Sequence, residues 1–239
     1  MNYSEVYGIA MPEKKRKEER WNIWVKLAVR PLSILLTVPL TETKVKPTTI
    51  TKWSVLSILI GFFVVSFSTN FEGKLIGWLF FFIWAVLDGV DGNLARCTNQ
   101  CSHLGDLWDT MGGYISMVLI YFSAGIAAFY DNNYFDVIDK PLLLIIGGAS
   151  SIMSIFPRLI MHKKKSSSQQ SMSVKELSST QDYSLLKIAA MNFVSPSGFM
   201  QVIFLFSIIF HVLDIFSLFY FMINIGIMML SLNKLLKEE

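Results

Sequence analysis

The sequence predicts an all-α integral membrane protein with about six transmembrane helices, preceded by an N-terminal interfacial amphipathic helix. Three observations lead to this prediction. Of the 239 residues, 53% are hydrophobic and only 16% are charged. The mean hydropathy of the chain is positive, at +0.48. The apolar residues are gathered in blocks of roughly 20, which is the length that a helix needs to cross a bilayer.

The first region, residues 1–45, is expected to form the cytoplasmic N-terminus and the interfacial helix. It contains the basic run EKKRKEER (Glu13–Arg20), which is followed by two tryptophans at helical spacing. Tryptophan prefers the headgroup level of a membrane, and Pro31 and Pro39 are expected to interrupt the apolar stretch that comes next. We therefore predict an interfacial helix over 14–40 rather than a membrane span. The alternative is that the basic run is only a solvated tail.

The second region, residues 46–239, is expected to form one transmembrane domain of six helices. An even number of spans places both termini on the same side of the membrane. The spans are predicted near residues 50–69, 74–96, 106–130, 141–162, 187–210 and 213–233. The stretch NFVSPSGF (Asn192–Phe199) is expected to break the fifth span at Pro196 and Gly198, either as a kink that lines a cleft or for packing.

The distribution of charge predicts which side of the membrane holds the termini. The N-terminal run and HKKK (His162–Lys165) are basic, whereas the loop Asp131–Lys140 is mainly acidic. Because basic loops face the cytoplasm, both termini are expected there and the acidic loop outside. The polar, serine-rich segment Lys163–Ser184 is then predicted to be a mobile cytoplasmic loop between the fourth and fifth spans.

Four aspartates lie where the second and third spans meet the cytoplasm, in the segment VLDGVDGNLARCTNQCSHLGDLWDTMGGY (Val86–Tyr114). Carboxylates at the edge of hydrocarbon are costly and usually mark function. Asp88 and Asp91 are three residues apart and share a helix face, and Arg96 alone cannot neutralise both. A bound divalent cation would neutralise both aspartates, and carboxylate oxygens are the ligands that Mg²⁺ or Mn²⁺ prefers. Asp109, in the first turn of the next helix, is placed to complete the ligand set.

Small residues accompany these acids. Gly89 and Gly92 fall inside a helix, where each costs roughly 1 kcal/mol relative to alanine, and Ala95 extends the bare strip by another turn. Such a strip lets a bulky ligand approach the backbone, which is the interpretation favoured beside the aspartates. The alternative is close packing of helices, a frequent use of small residues in membranes.

The spacing of these residues resembles the signature of the CDP-alcohol phosphotransferase (CDP-alcohol phosphatidyltransferase) family, D-x2-D-G-x2-A-R-x8-G-x3-D-x3-D. The positions that agree are Asp88, Asp91, Gly92, Ala95, Arg96, Gly105 and Asp109. The last aspartate of the signature falls on Gly113. The resemblance extends to the interfacial helix, the six spans and the lead-in KPTTIT (Lys46–Thr51).

The resemblance implies a transferase that moves a substituted phosphate from a CDP-linked alcohol to a second alcohol and releases CMP, usually in the synthesis of phospholipids or related polar lipids. It also implies that the metal is held by Asp88, Asp91 and Asp109. Glycines and alanine of the signature would lie against the cytidine or the pyrophosphate (Gly92, Ala95 and Gly105). Arg96 would organise the loop or bind phosphate. The implied partners are the two substrates, the lipid bilayer and a second copy of the chain, with no nucleic acid.

The glycine at position 113 departs from the family, where the aspartate is the base for the acceptor or a further metal ligand. Asp106 could replace it, with Asp109, as a catalytic carboxylate. On an ideal helix its direction is within about 20° of residue 113, but it lies about 10 Å away along the axis. Alternatively, the acceptor is already an anion, a base comes from another helix, or the chain binds nucleotide without turnover. Gly113 could also simply widen the cleft for a larger acceptor.

Arg158, near the inner end of the fourth span, is a further candidate for substrate binding. It lies on the predicted side of the motif and could contact a phosphate of the acceptor, or it could be an interface residue whose charge reaches the headgroups.

An ion-coupled transporter is the contrasting class of protein. A transporter is expected to carry ionisable residues near the middle of several spans. Here the acids of the motif cluster at one membrane edge, which favours the enzyme.

Overall fold

The computed structural model describes residues 1–132, 138–171 and 192–236, and these residues form an all-α membrane protein. The predicted fold class is therefore confirmed. In chain order the α-helices of the described residues are α1 Tyr3–Ala10, α2 Glu13–Glu19, α3 Arg30–Leu40, α4 Pro47–Phe67, α5 Phe71–Cys97, α6 His103–Tyr130, α7 Lys140–Ser171, α8 Phe199–Ile209 and α9 Leu213–Leu236. Five of them are long and apolar enough to cross a bilayer, namely α4, α5, α6, α7 and α9.

The N-terminal region folds as separate short helices rather than one interfacial helix over 14–40. After α2 the chain turns, and a π-helical turn, Val25–Val29, continues directly into α3. The expectation that the two prolines interrupt this stretch is wrong. Pro31 lies in the first turn of α3, directly after the π-helical turn, and Pro39 lies in the last turn. The polar side chains of this segment, Arg30, Ser33 and Thr37, are buried, whereas Leu27 is 70% exposed and Leu35 58% exposed.

Helix α4 lies beside both α5 and α6 and packs against each of them. Glycine permits the closest approaches between helices. A Cβ atom at Gly77 would lie 2.5 Å from Val65 of α4, and one at Gly125 would lie 2.7 Å from Cα of Gly147 in α7. These contacts bring backbones together without side chains between them, as is common in membrane helix pairs.

The fifth predicted span is a shorter helix than expected. Residues 187–191 of it lie outside the described residues, and α8 has 11 residues. The break predicted at Pro196 and Gly198 is present, because α8 begins only at Phe199. Gln201 anchors α8 to α5, since its Nε2 donates to the carbonyl oxygen of Phe81 at 3.0 Å.

The polar loop predicted over 163–184 begins later than expected. Helix α7 has 32 residues and continues to Ser171. Residues 172–184 lie outside the described residues.

An ion cluster lies at the opposite end of α5 from the aspartate motif. Nζ of Lys74 is 2.9 Å from Oδ1 of Asp131, and both side chains are buried. Nδ1 of His211 is 3.4 Å from the same oxygen. The cluster joins the start of α5, the end of α6 and the turn between α8 and α9, so it holds that end of the bundle together.

Candidate active site

A cavity of about 450 Å³ lies between the last turns of α5 and the first turns of α6. Almost every residue that the motif predicted lines it. The predicted residues in its wall are Asp88, Gly89, Asp91, Gly92, Ala95, Arg96, Gly105, Asp106 and Asp109. Two helix ends joined by a short turn therefore bring the two halves of the motif to one place.

The turn between the helices fixes where α6 begins. Asn99 adopts a left-handed conformation with φ of 53°, which reverses the chain after α5. The Ser102 side chain then caps α6 by accepting a hydrogen bond from the backbone N–H of Gly105 at 3.1 Å. A Cβ atom at Gly105 would lie 3.2 Å from that hydroxyl oxygen, so glycine leaves room for the cap. The first two turns of α6 thus present Asp106 and Asp109 to the cavity.

The carboxylates offer the donor chemistry that a divalent cation requires. Asp91 is 4% exposed, and its Oδ2 atom is buried without a hydrogen-bond partner. A buried carboxylate oxygen with no donor suits a cation. Among the described residues, however, no three His, Cys, Asp or Glu side chains are gathered tightly enough to form a metal site. The acids therefore share the cavity, while a closed ligand set is not formed.

The two glycines beside the acids have different surroundings. A Cβ atom at Gly89 would lie 2.8 Å from the side chain of Ser33 in α3, so this glycine lets α3 pack against α5. The atoms nearest to a Cβ atom at Gly92 would be those of the flexible Arg96 guanidinium group, at 3.3 Å or more. Both residues line the cavity, but the interpretation as a bare slot for a ligand applies better to Gly92 than to Gly89.

One wall of the cavity comes from the N-terminal region, which the sequence analysis did not assign to the site. It is formed by residues of α2 and of the stretch that leads into α3, namely Lys15, Glu19, Asn22, Val25 and Arg30. The segment is tied to the bundle through Asn192, whose Oδ1 accepts from the backbone N–H of Ile23 at 3.1 Å. The Asn192 amide also donates to the carbonyl of Trp21.

Arginine side chains connect this wall to α5. Nε of Arg30 donates to Oε2 of Glu19 at 2.9 Å, and a second bond joins the same two side chains. Nη1 of Arg30 donates to Oδ1 of Asn93 at 3.2 Å, and Nη2 of Arg96 donates to the same oxygen at 3.0 Å. Two guanidinium groups thus converge on one amide oxygen at the edge of the cavity.

Lys15 is the second cation of the N-terminal wall. Burial, followed by the positive charges of Arg30 and Arg96, lowers the pKa of its ammonium group to about 8, although Glu19 and Asp109 oppose the shift. Its Nζ atom is 3.8 Å from Oε1 of Glu19. The N-terminal wall of the cavity therefore carries two cations and one acid, whereas the α5 and α6 side carries four aspartates and Arg96.

A second cavity, of about 190 Å³, contains the remaining predicted residue, Arg158. It shares Asp88, Asp109 and Ser197 with the larger cavity and is also lined by Gly113. A Cβ atom at Gly113 would lie 3.0 Å from Nη1 of Arg158. The guanidinium group therefore occupies the space beside the position where the signature has aspartate.

Other residues of the smaller cavity are polar or come from the broken fifth span. They are Thr110, Tyr114, Ser116, Pro196 and Ser197, beside Trp84. The kink predicted there thus does line a cleft. Asp106 lines only the larger cavity, so it lies apart from the place that an acid at position 113 would take.

Comparison with known proteins assigns the chain to a family. The family model described as CDP-alcohol phosphatidyltransferase matches residues 44–230, which is well over half of the chain. The match includes both halves of the motif and Arg158, but it begins after the N-terminal wall of the cavity. No curated protein matches the chain.

Proposed function

Because the chain belongs to the CDP-alcohol phosphatidyltransferase family, we propose that it moves a substituted phosphate from a CDP-linked alcohol to an acceptor alcohol and releases CMP. Membership in the family implies transfer of a phosphate group from a CDP-alcohol in lipid synthesis. The observation that carries the finer proposal is the larger cavity, where the motif residues meet at one end of the membrane helices. We place that end at the cytoplasmic face, with residues 46–239 as the transferase domain and a homodimer as the expected assembly.

We assign the binding of Mg²⁺ or Mn²⁺ to Asp88, Asp91 and Asp109. Such an ion, when bound, polarises the diphosphate and stabilises the charge that develops on its oxygens. The protein must supply acids near the diphosphate and a surface without bulk beside the nucleotide. Gly92 and Ala95 give that surface, and Arg96 provides a cation at its edge.

The acceptor is assigned to the smaller cavity. Arg158 there would bind an acidic group of the acceptor or stabilise charge on the phosphate. Asp109, like Asp88, lines both cavities, which supports a role for its carboxylate between the two substrates. It can take the proton of an acceptor hydroxyl in either cavity, whereas Asp106 can do so only in the larger one. A base that is positioned in this way typically contributes about 10²–10⁴-fold to the rate.

The test is release of CMP by the purified protein with Mg²⁺ or Mn²⁺ and a panel of CDP-alcohols and acceptors. We expect release that depends on the acceptor and that is lost in Asp91→Asn. Glu72→Gln is the matched control, because Glu72 is exposed in the first turn of the same helix, far from the cavities. Cytidine nucleotide binding without CMP release for any pair of substrates would instead identify a family member that binds without turnover.

A further inference from the structure

The wall that faces the aspartates comes from a part of the chain that the family match does not include. Residues 13–30 lie before the matched range of 44–230, yet Lys15 and Arg30 line the same cavity as the motif. The segment is held in place by hydrogen bonds to Asn93 and Asn192. Its position is therefore fixed by the fold, and it adds positive charge to a cavity that is acidic on its other side.

The cations that line the larger cavity, Lys15 and Arg30 of the N-terminal wall and Arg96 of α5, differ in how many hydrogen-bond acceptors they already have. Arg30 is buried and donates to both carboxylate oxygens of Glu19 and to Asn93. Arg96 donates to Asn93 and keeps a buried Nε atom without a partner. Within the described residues, Lys15 has one ionic neighbour, Glu19, at 3.8 Å. That carboxylate is engaged by Arg30, so the three donors of the Lys15 ammonium group have capacity for another acceptor.

We propose that Lys15 binds a phosphate group of the cytidine nucleotide in the larger cavity, opposite the aspartates. A lysine ammonium group is a strong point-charge donor for phosphate. This inference rests on the proposed function for the identity of the nucleotide. It assigns a binding role to the N-terminal segment, which the family signature does not contain.

The electrostatics of the wall agree with this assignment. Burial and the guanidinium groups of Arg30 and Arg96 lower the pKa of Lys15, and the carboxylates of Glu19 and Asp109 raise it less. In the free protein, the nearby carboxylates therefore do not fully offset the cost of burying the protonated lysine beside two guanidinium groups. A bound phosphate adds negative charge beside it and stabilises the protonated form.

The experiment compares two lysines of one short helix. Lys15 is 27% exposed at the cavity, whereas the Lys17 side chain is 72% exposed and pairs with Glu13 at 2.8 Å. Calorimetric titrations of the full chain in nanodiscs use CMP, cytidine and pyrophosphate, each with Mg²⁺. The variants are Lys15→Met, Lys15→Arg and Lys17→Met, and their melting temperatures check that they are folded.

We expect Lys15→Met to weaken CMP binding by about 10- to 100-fold, the range for losing one hydrogen bond to a charged group. Cytidine, which lacks phosphate, should bind wild type and variant alike. Lys15→Arg should recover part of the CMP affinity, and Lys17→Met should differ from wild type by less than about twofold. A folded Lys15→Met protein with unchanged CMP affinity would overturn the proposal.

Two other results separate this inference from the proposed function. If no cytidine compound binds the wild type, the proposed function fails, and the pyrophosphate titrations then test the phosphate site alone. Weaker pyrophosphate binding by Lys15→Met than by the wild type supports a phosphate site at Lys15. Unchanged or absent pyrophosphate binding refutes that site. If Lys15→Met keeps its CMP affinity but, unlike the wild type, is not stabilised by phosphatidylglycerol in the nanodisc, Lys15 binds a lipid headgroup and the proposal is wrong.

Discussion

Gly113→Asp is the substitution that most directly tests what Arg158 does in the smaller cavity. A Cβ atom at residue 113 would lie 3.0 Å from Nη1 of Arg158, so a carboxylate at this position forms an ion pair with the guanidinium group. Two unit charges 4 Å apart attract each other by about 4 kcal/mol at an effective dielectric constant of about 20. Once the cost of desolvating both groups is subtracted, the net stabilisation is roughly 1.5–3 kcal/mol, the range for a hydrogen bond to a charged group.

An Arg158 side chain that is engaged in this way cannot also bind the acceptor. We therefore expect the KM for the acceptor to rise by about 10- to 100-fold in Gly113→Asp, measured from acceptor-dependent CMP release. Gly113→Ala adds only the Cβ atom beside the flexible end of the arginine, so its KM should change by about twofold at most. In an Arg158→Gln background, the aspartate should have little further effect. A rise in kcat of about 10²-fold or more in Gly113→Asp would refute this reasoning, because it would show that a general base was missing.

Three further predictions concern stability and pH. Lys74→Met leaves the buried Asp131 carboxylate without its lysine partner, so the free energy of unfolding in detergent should fall by about 3–5 kcal/mol. The double variant that also carries Asp131→Leu should lose less stability, and an equal loss would contradict the ion-pair argument. Gly147→Leu should lower the melting temperature, because even a Cβ atom at this position would lie 2.8 Å from the backbone of α6. Gly148→Leu is the control and should change the melting temperature little, because a Cβ atom there would meet nothing closer than 4.0 Å. CMP affinity should fall by about 10-fold between pH 7 and pH 9, because Lys15 loses its proton above its pKa of about 8 and then no longer attracts the bound phosphate. If Lys15→Met shows the same fall in affinity over this pH range, the effect belongs to another group.

The membrane helices and the centre of the site could be predicted from local patterns. Long apolar blocks indicate α4, α5, α6 and α9 because each block satisfies its own backbone hydrogen bonds and needs no partner to be recognised. The position of the larger cavity could also be predicted from a local pattern. Asp91 and Asp109 lie on two helix ends that a turn of a few residues joins, so their proximity is fixed by sequence distance alone.

The N-terminal wall could not be predicted, because it depends on contacts between distant parts of the chain. Lys15 belongs to a basic run that looks like a signal for topology, and nothing in the run distinguishes it from Lys17. Only the fold shows that the first faces the cavity and the second faces water. Likewise, the space beside Gly113 is occupied by Arg158, which lies 45 residues further along the chain.

The opposite charges of the two cavity walls have a consequence for how a nucleotide binds. Acids alone would repel a diphosphate until a cation is present, because like charges in a partly buried site are poorly screened. Lys15 and Arg96 reduce this repulsion before any cation binds. Removing the charge of Lys15 should therefore make CMP binding depend more strongly on Mg²⁺ than it does in the wild type. Equal dependence on Mg²⁺ in the two proteins would mean that the cationic wall acts independently of the aspartates.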